Sequence, residues 1–214
     1  MTASVKLRTA SRESPASARS FTDAVNDRRY AHEPSARYGL AVALMREKEY
    51  KRAEAEIATL RADKVASPMI ESLAARARLA QNDSAGAMAI LKAALVRFPN
   101  RRSLLYAALD MQLELNRYDD VQAMLAEPMR LYPRDPKLYE ARARAYGGQG
   151  KRLLQHQSQA EALVLMGALP AAIEELQYAQ SAGDGNFYEQ SAVDARLKEV
   201  RAEYTREQQD LKKK

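Results

Sequence analysis

The chain repeats itself. Ala53, Ala87 and Val121 stand 34 residues apart, as do Ile57, Leu91 and Leu125, and as do Pro99 and Pro133. The order inside the unit is a small residue, a large apolar residue four later and, in the second and third units, a proline eight after that. The small residue marks where two helices cross closely, since a larger side chain would wedge them apart. One helix pair cannot bury enough apolar surface by itself, because isolated domains below about 40 residues usually need staples. Each pair must therefore stack on the next.

A 34-residue period with this order is the signature of the tetratricopeptide repeat, or TPR. It predicts an all-α TPR superhelix, an α-solenoid of antiparallel helix pairs whose concave face is lined by the first helix, A, of each pair. Composition agrees. Hydrophobic residues make up 46% of the chain, and Ala, Leu, Arg and Glu dominate while β-branched residues are scarce.

Residues 1–14 read as a linker or disordered start, 15–211 as the solenoid, and 212–214 as a disordered tail. Ser14-Pro15 has the form of an N-cap followed by a first helical residue, opening a helix over 15–29. The first full repeat starts at His32-Glu33-Pro34, the second at Pro68, the third after Phe98-Pro99 and a fourth at Pro136. Ser84 is expected to cap the second B helix. Pro128 inside the third B helix removes a hydrogen bond and predicts a kink or an early end near Glu127. After Gly147-Gly148-Gln149-Gly150 the phase slips near 147–153. The next small-then-large pair is Ala172 and Leu176, and Val121 to Ala172 is 51 residues, one and a half periods. Either 150–166 partners 136–147, or it opens a new pair with 169–181 across Gly167. Helix parity favours the first and local spacing the second. Phe187 to about Asp210 reads as one long capping helix.

The repeat frame names the inward positions of the A helices. They are Tyr38, Val42 and Met45 in the first repeat, Met69, Ser72, Arg76 and Leu79 in the second, Tyr106, Asp110 and Leu113 in the third, and Arg144 in the fourth. This mix of apolar anchors and isolated charges suits a protein or peptide ligand. The array of Asn, Lys and Arg by which some TPRs clamp a terminal carboxylate is missing, since Val42, Arg76 and Asp110 stand where it wants Asn.

Other chemistry is excluded on detail. The chain has no Cys and two His, His32 and His156, and no His-Glu-x-x-His. Catalytic, cofactor-binding and metal residues are therefore expected to be absent. Gly147 to Lys151 fails as a phosphate loop, because Arg152 replaces the needed Ser or Thr and no strand precedes it. Glu174-Glu175 belongs to a solvated face. The net charge of +6 lies largely in the terminal stretches, and no aromatic–basic interleaving points to nucleic acid. No apolar run approaches the roughly 18 to 20 residues that span a bilayer. Met1 to Glu13 holds no apolar core of signal-peptide length.

Several stretches go beyond a generic repeat. They are Ala36-Arg37-Tyr38-Gly39-Leu40-Ala41-Val42-Ala43-Leu44, the phase slip, Gln155-His156-Gln157-Ser158-Gln159-Ala160-Glu161-Ala162, and Asn186-Phe187-Tyr188-Glu189-Gln190-Ser191 before Asp194-Ala195-Arg196-Leu197. In this order they resemble the C-terminal TPR region of bacterial β-barrel assembly-enhancing proteases, the BepA (YfgC) type, over Lys6 to Tyr204. The resemblance implies a periplasmic setting and a zinc peptidase domain elsewhere in the parent protein. It also implies a role in outer-membrane protein quality control, with partners among β-barrel proteins or their assembly machinery. None of the peptidase's zinc ligands falls in these residues. The competing reading is a free-standing TPR adaptor or assembly scaffold, which could equally be cytoplasmic.

Overall fold

The computed structural model describes residues 18–28, 32–63 and 66–212. Among them lie eleven helices and no strand. They are α1 (Ala18–Asn26), α2 (Glu33–Arg46), α3 (Tyr50–Ala62), α4 (Pro68–Ala80), α5 (Ser84–Arg97), α6 (Arg102–Glu114), α7 (Tyr118–Leu131), α8 (Pro136–Gly148), α9 (Arg152–Leu165), α10 (Leu169–Ser181) and α11 (Phe187–Lys212). The helices form two compact units, Met1–Leu104 and Leu105–Lys214.

In the first unit α2 pairs with α3 and α4 with α5. Ala53 and Ala87, the small residues of the repeat, are wholly buried, as are Leu60 and Leu91. Helix α1 lies on α2, where Phe21 meets Gly39 so closely that a β-carbon there would come within 2.6 Å of the ring. Arg37 of α2 ties the first pair together through Glu56 of α3 at 2.9 Å.

The turns between A and B helices are built alike. Lys48, Asn82 and Asn116 take left-handed backbone with φ of 63°, 63° and 55°, and Gly150 follows at 73°. At each, the amide of the next residue closes a six-residue loop onto the preceding helix. The bonds are Glu49 N–H to Leu44, Asp83 to Arg78, Arg117 to Gln112 and Lys151 to Tyr146, at 2.9–3.0 Å. This is the Schellman ending of a helix, which satisfies carbonyls the helix leaves over. Gly150 is thus in register with the three turns before it.

The half-period step is present, and it falls one helix later, at Gly167. That residue repeats the turn with φ of 76°, and Ala168 N–H bonds to Leu163 at 2.9 Å. Gly167 lies 119 residues after Lys48, three and a half periods. The same shift carries Ala53, Ile57 and Leu60 onto Ala172, Leu176 and Ala179, all of them buried. It carries the Arg37–Glu56 pair onto His156 and Glu175, which meet at 2.8 Å. It carries Ser67, whose side chain accepts from Met69 N–H, onto Asn186, whose side chain accepts from Tyr188 N–H.

Both sequence alternatives are therefore realised in the second unit. Helix α9 packs on α8 as a B helix and on α10 as an A helix. Towards α8 it offers Ser158, which accepts from Arg142 at 3.1 Å. Towards α10 and α11 it offers Leu153 and Ala160, within a core that includes Leu169, Leu176, Val193, Leu197 and Val200. Arg196 of α11 holds Glu161 of α9 with two bonds of 2.7 and 2.9 Å. Those bonds, against the opposing effect of burial, push the guanidinium further towards its charged form.

Two local expectations change. Helix α7 does not stop near Glu127 but runs through Pro128 to Leu131. One lost N–H is tolerable because Leu125, Met124, Met129 and Tyr132 anchor that turn in the core. The cap of α5 is Asp83, one residue before Ser84, and it accepts from Gly86 N–H at 2.8 Å. The first helix is described from Ala18, so the Ser14-Pro15 cap, Arg29 and the whole of the proposed linker, 1–14, lie outside the described residues.

A left-handed turn penalises any side chain with a β-carbon. Gly167→Ala is expected to lower stability by about 1 kcal/mol, while Lys48→Gly is expected to leave it unchanged or raise it. Thermal unfolding followed by circular dichroism reads both, and an unshifted midpoint for Gly167→Ala would show that this turn does not constrain the step.

Candidate protein-binding site

The inward positions divide between the two units. In the first, Tyr38, Val42 and Met45 of α2 are half-buried against a core that includes Ala41, Leu73, Ala74 and Ala77. Their outer edges line the surface rather than stand free of it. On α4, Met69 is 61% exposed, Arg76 is exposed, and Ser72 and Leu79 are half-buried. Burial raises the Tyr38 phenol above its ordinary value, and the charge of Arg76 pulls the other way.

In the second unit the structure brings three of the predicted residues to one pocket. Tyr106, Asp110 and Arg144 line a cavity of about 180 Å³ between α6 and α8. Leu109 and Ala141 form the apolar part of its lining, and Lys137 and Glu140 complete the wall. Asp110 and Arg144 occupy the same place in successive repeats, 34 residues apart, and bond at 2.8 Å. Both side chains remain more than half exposed, so the pair is worth roughly 0–1 kcal/mol and can exchange for other partners.

Tyr106 is fixed from two sides. Its hydroxyl donates to Asp135, and Lys137 sits over its ring at 4.8 Å. Asp135 is buried and also caps α8 by accepting from Lys137 N–H at 3.2 Å. One carboxylate therefore starts the helix and orients the pocket's aromatic wall. Leu113 does not join the pocket. It is 6% exposed and packs with Val121, Leu125 and Leu138 inside the core, because its place near the end of α6 faces the paired helix.

Lys137 and Glu140 were not among the inward residues named from sequence. The signal existed, since Glu140 lies one period after Tyr106 and Lys137 one period after Ser103. Tyr188 belongs with them. It starts α11 at the place that Met69 holds in α4 and is 83% exposed beside Phe187, the two rings meeting edge-on at 5.9 Å. It was invisible as an inward position until the step at Gly167 fixed the frame.

No arrangement of ligands for a metal accompanies the pocket. His32 lies at the start of α2 with its Nδ1 at 2.9 Å from Ser35 Oγ, and His156 pairs with Glu175. Among the described residues no group of three or more His, Asp or Glu is placed to hold a metal ion. No described helix is long and apolar enough to cross a membrane.

No family model matches the chain. Over 167 residues, 78% of this chain, it is 29% identical to the beta-barrel assembly-enhancing protease of Yersinia pestis. The match supports the resemblance drawn from the motifs above, and it is a match to a part, since the chain spans about a third of that protein's length, 34%. Among solved structures it is similar to a tetratricopeptide repeat protein from Parabacteroides merdae. That likeness has a TM-score of 0.41 and 14% identity over 86% of this chain and 90% of the other. The helix pairs, their common turn and their period make this a TPR-type helical repeat, an architecture that presents surfaces to other proteins.

The direction of the Tyr38 shift gives a pH test. A phenol whose folded value is raised contributes stability below the unfolded value near 10 and loses it as pH rises through the folded value. Unfolding midpoints measured between pH 9 and 12 are expected to fall less steeply in Tyr38→Phe than in the parent protein. Parallel curves would remove Tyr38 from the account.

Proposed function

We propose that this chain is a non-catalytic partner-recognition module, the substrate- or partner-holding part of a periplasmic metalloprotease that acts in outer-membrane protein quality control. The observation that carries the reading is the pocket between α6 and α8. It is built from repeat-equivalent residues, has an apolar floor, and is lined by charges not locked into a core. The 29% identity to the beta-barrel assembly-enhancing protease of Yersinia pestis supports the reading of the cellular setting. The ligand class is an unfolded β-barrel protein or a subunit of the assembly machinery.

Zinc, which such a protease would use, does not fit the residues present. His32 faces Ser35 and His156 faces Glu175, and among the described residues no group of three or more His, Asp or Glu is placed to hold a metal ion. In this reading the pocket's part is to bind and orient.

The test is capture. A urea-unfolded β-barrel outer-membrane protein, diluted into buffer with the folded chain, is expected to crosslink to it from a photoreactive residue placed at position 103, exposed one turn before Tyr106 on α6. Tyr106→Ala combined with Arg144→Ala is expected to reduce capture about tenfold, the scale of interface anchors, with helicity intact. Equal capture by the folded double variant would move the site elsewhere, and cleavage of the captured protein on adding zinc would overturn the non-catalytic assignment.

A further inference from the structure

The order of polar groups in the α6–α8 pocket restricts what it can hold. Lys137, Glu140 and Arg144 follow one another along one face of α8, a donor, an acceptor and a donor. At 1.5 Å of rise per residue they are separated by about 4.5 and 6 Å along the axis. Opposite them, Asp110 of α6 is a second acceptor, and the Tyr106 hydroxyl is already committed to Asp135. Between the walls lie Leu109 and Ala141, both buried.

An extended polypeptide offers C=O and N–H groups alternately along each edge, with the set recurring about every 6.6 to 7 Å. Three to four of its residues cover the length from Lys137 to Arg144. A helix cannot answer this wall, because its own N–H and C=O groups are bonded to each other. A free chain terminus fits poorly as well. A carboxylate drawn to Lys137 or Arg144 also meets Glu140 and Asp110, and an amine drawn to the carboxylates meets both cations. The same balance disfavours a charged side chain of either sign. The cavity volume of about 180 Å³ equals roughly six waters, enough for one aliphatic side chain on the Leu109–Ala141 floor.

Resting on the reading of this pocket as a partner site, we infer that it grips an internal, uncharged, extended stretch of polypeptide by its main chain, with one aliphatic side chain seated between α6 and α8. Specificity is then for conformation and lack of charge, and many sequences satisfy it. The Asp110–Arg144 pair opens on binding, each member turning to a main-chain group of the partner.

The experiment uses fluorescence anisotropy on the full chain. The probe is a labelled, acetylated and amidated heptapeptide of Ser, Ala and Thr with a central Leu. Three companions carry the same sequence, one N-methylated at alternate amides, one stapled into a helix and one with a free C-terminal carboxylate. The plain peptide is expected to bind, and each companion to bind at least tenfold more weakly. Glu140→Ala, checked for unchanged helicity, is expected to weaken the plain peptide about fivefold and leave the N-methylated form unaffected. Equal or tighter binding of the stapled helix, no effect of N-methylation, or no binding of the plain peptide overturns the inference. If any of these occurs while the unfolded β-barrel protein is still captured from position 103, the pocket remains a partner site and only the main-chain grip falls. If capture fails too, both fall.

Discussion

Close approach of two helices at one small side chain is the condition on which the rest of this structure rests. Ala53, Ala87, Val121 and Ala172 are each fully buried at that crossing, and Ile57, Leu91, Leu125 and Leu176 fill the space one turn further on. A larger residue at the first place would part the helices and open a void at the second, where close packing leaves little slack. With the crossings fixed, the A helices can stand side by side, as α6 and α8 do on either side of the pocket. Residues one period apart, such as Asp110 and Arg144, then come within bonding distance.

Much of the fold could be read in advance, because its determinants are local. Helix pairs announce themselves by spacing, and Asn82, Asn116 and Gly150 mark turns by their tolerance of left-handed backbone. Lys48 gives no such sign, yet it takes the same conformation because the helices on both sides dictate it. Of the two outcomes expected at Pro128, a kink or an early end, the early end does not occur. The proline's effect on the backbone is local, but whether the helix ends there depends on Leu125 and its neighbours in the core, which spacing does not weigh. The half-period step was visible as a distance between Val121 and Ala172, and spacing put it near 147–153, one helix before its place at Gly167. The sequences around Gly150 and Gly167 both suit the same ending.

The candidate site was legible in part. Period alone brought Tyr106, Asp110 and Arg144 together across the pocket, since equivalent positions face the same way. It also named Leu113, which the structure turns into the core, because an inward face and a paired face are adjacent near the end of an A helix. What spacing could not supply was the hydrogen bonding. The buried carboxylate of Asp135, which both caps α8 and holds the Tyr106 hydroxyl, links two repeats through geometry that has no echo in composition.

Helix α9 serves as a B helix to α8 and as an A helix to α10. Leu153, Ser158, Ala160 and Ala162 are all buried, some beneath α8 and others beneath α10 and α11. Most helices of a stacked array leave one side to drift in sequence. In α9 the substitutions allowed by one neighbour must also be allowed by the next, so its tolerated alphabet is the overlap of two. A single-helix offset in such an array thus has a lasting cost in freedom to vary, concentrated in the helix that is B to one partner and A to the next.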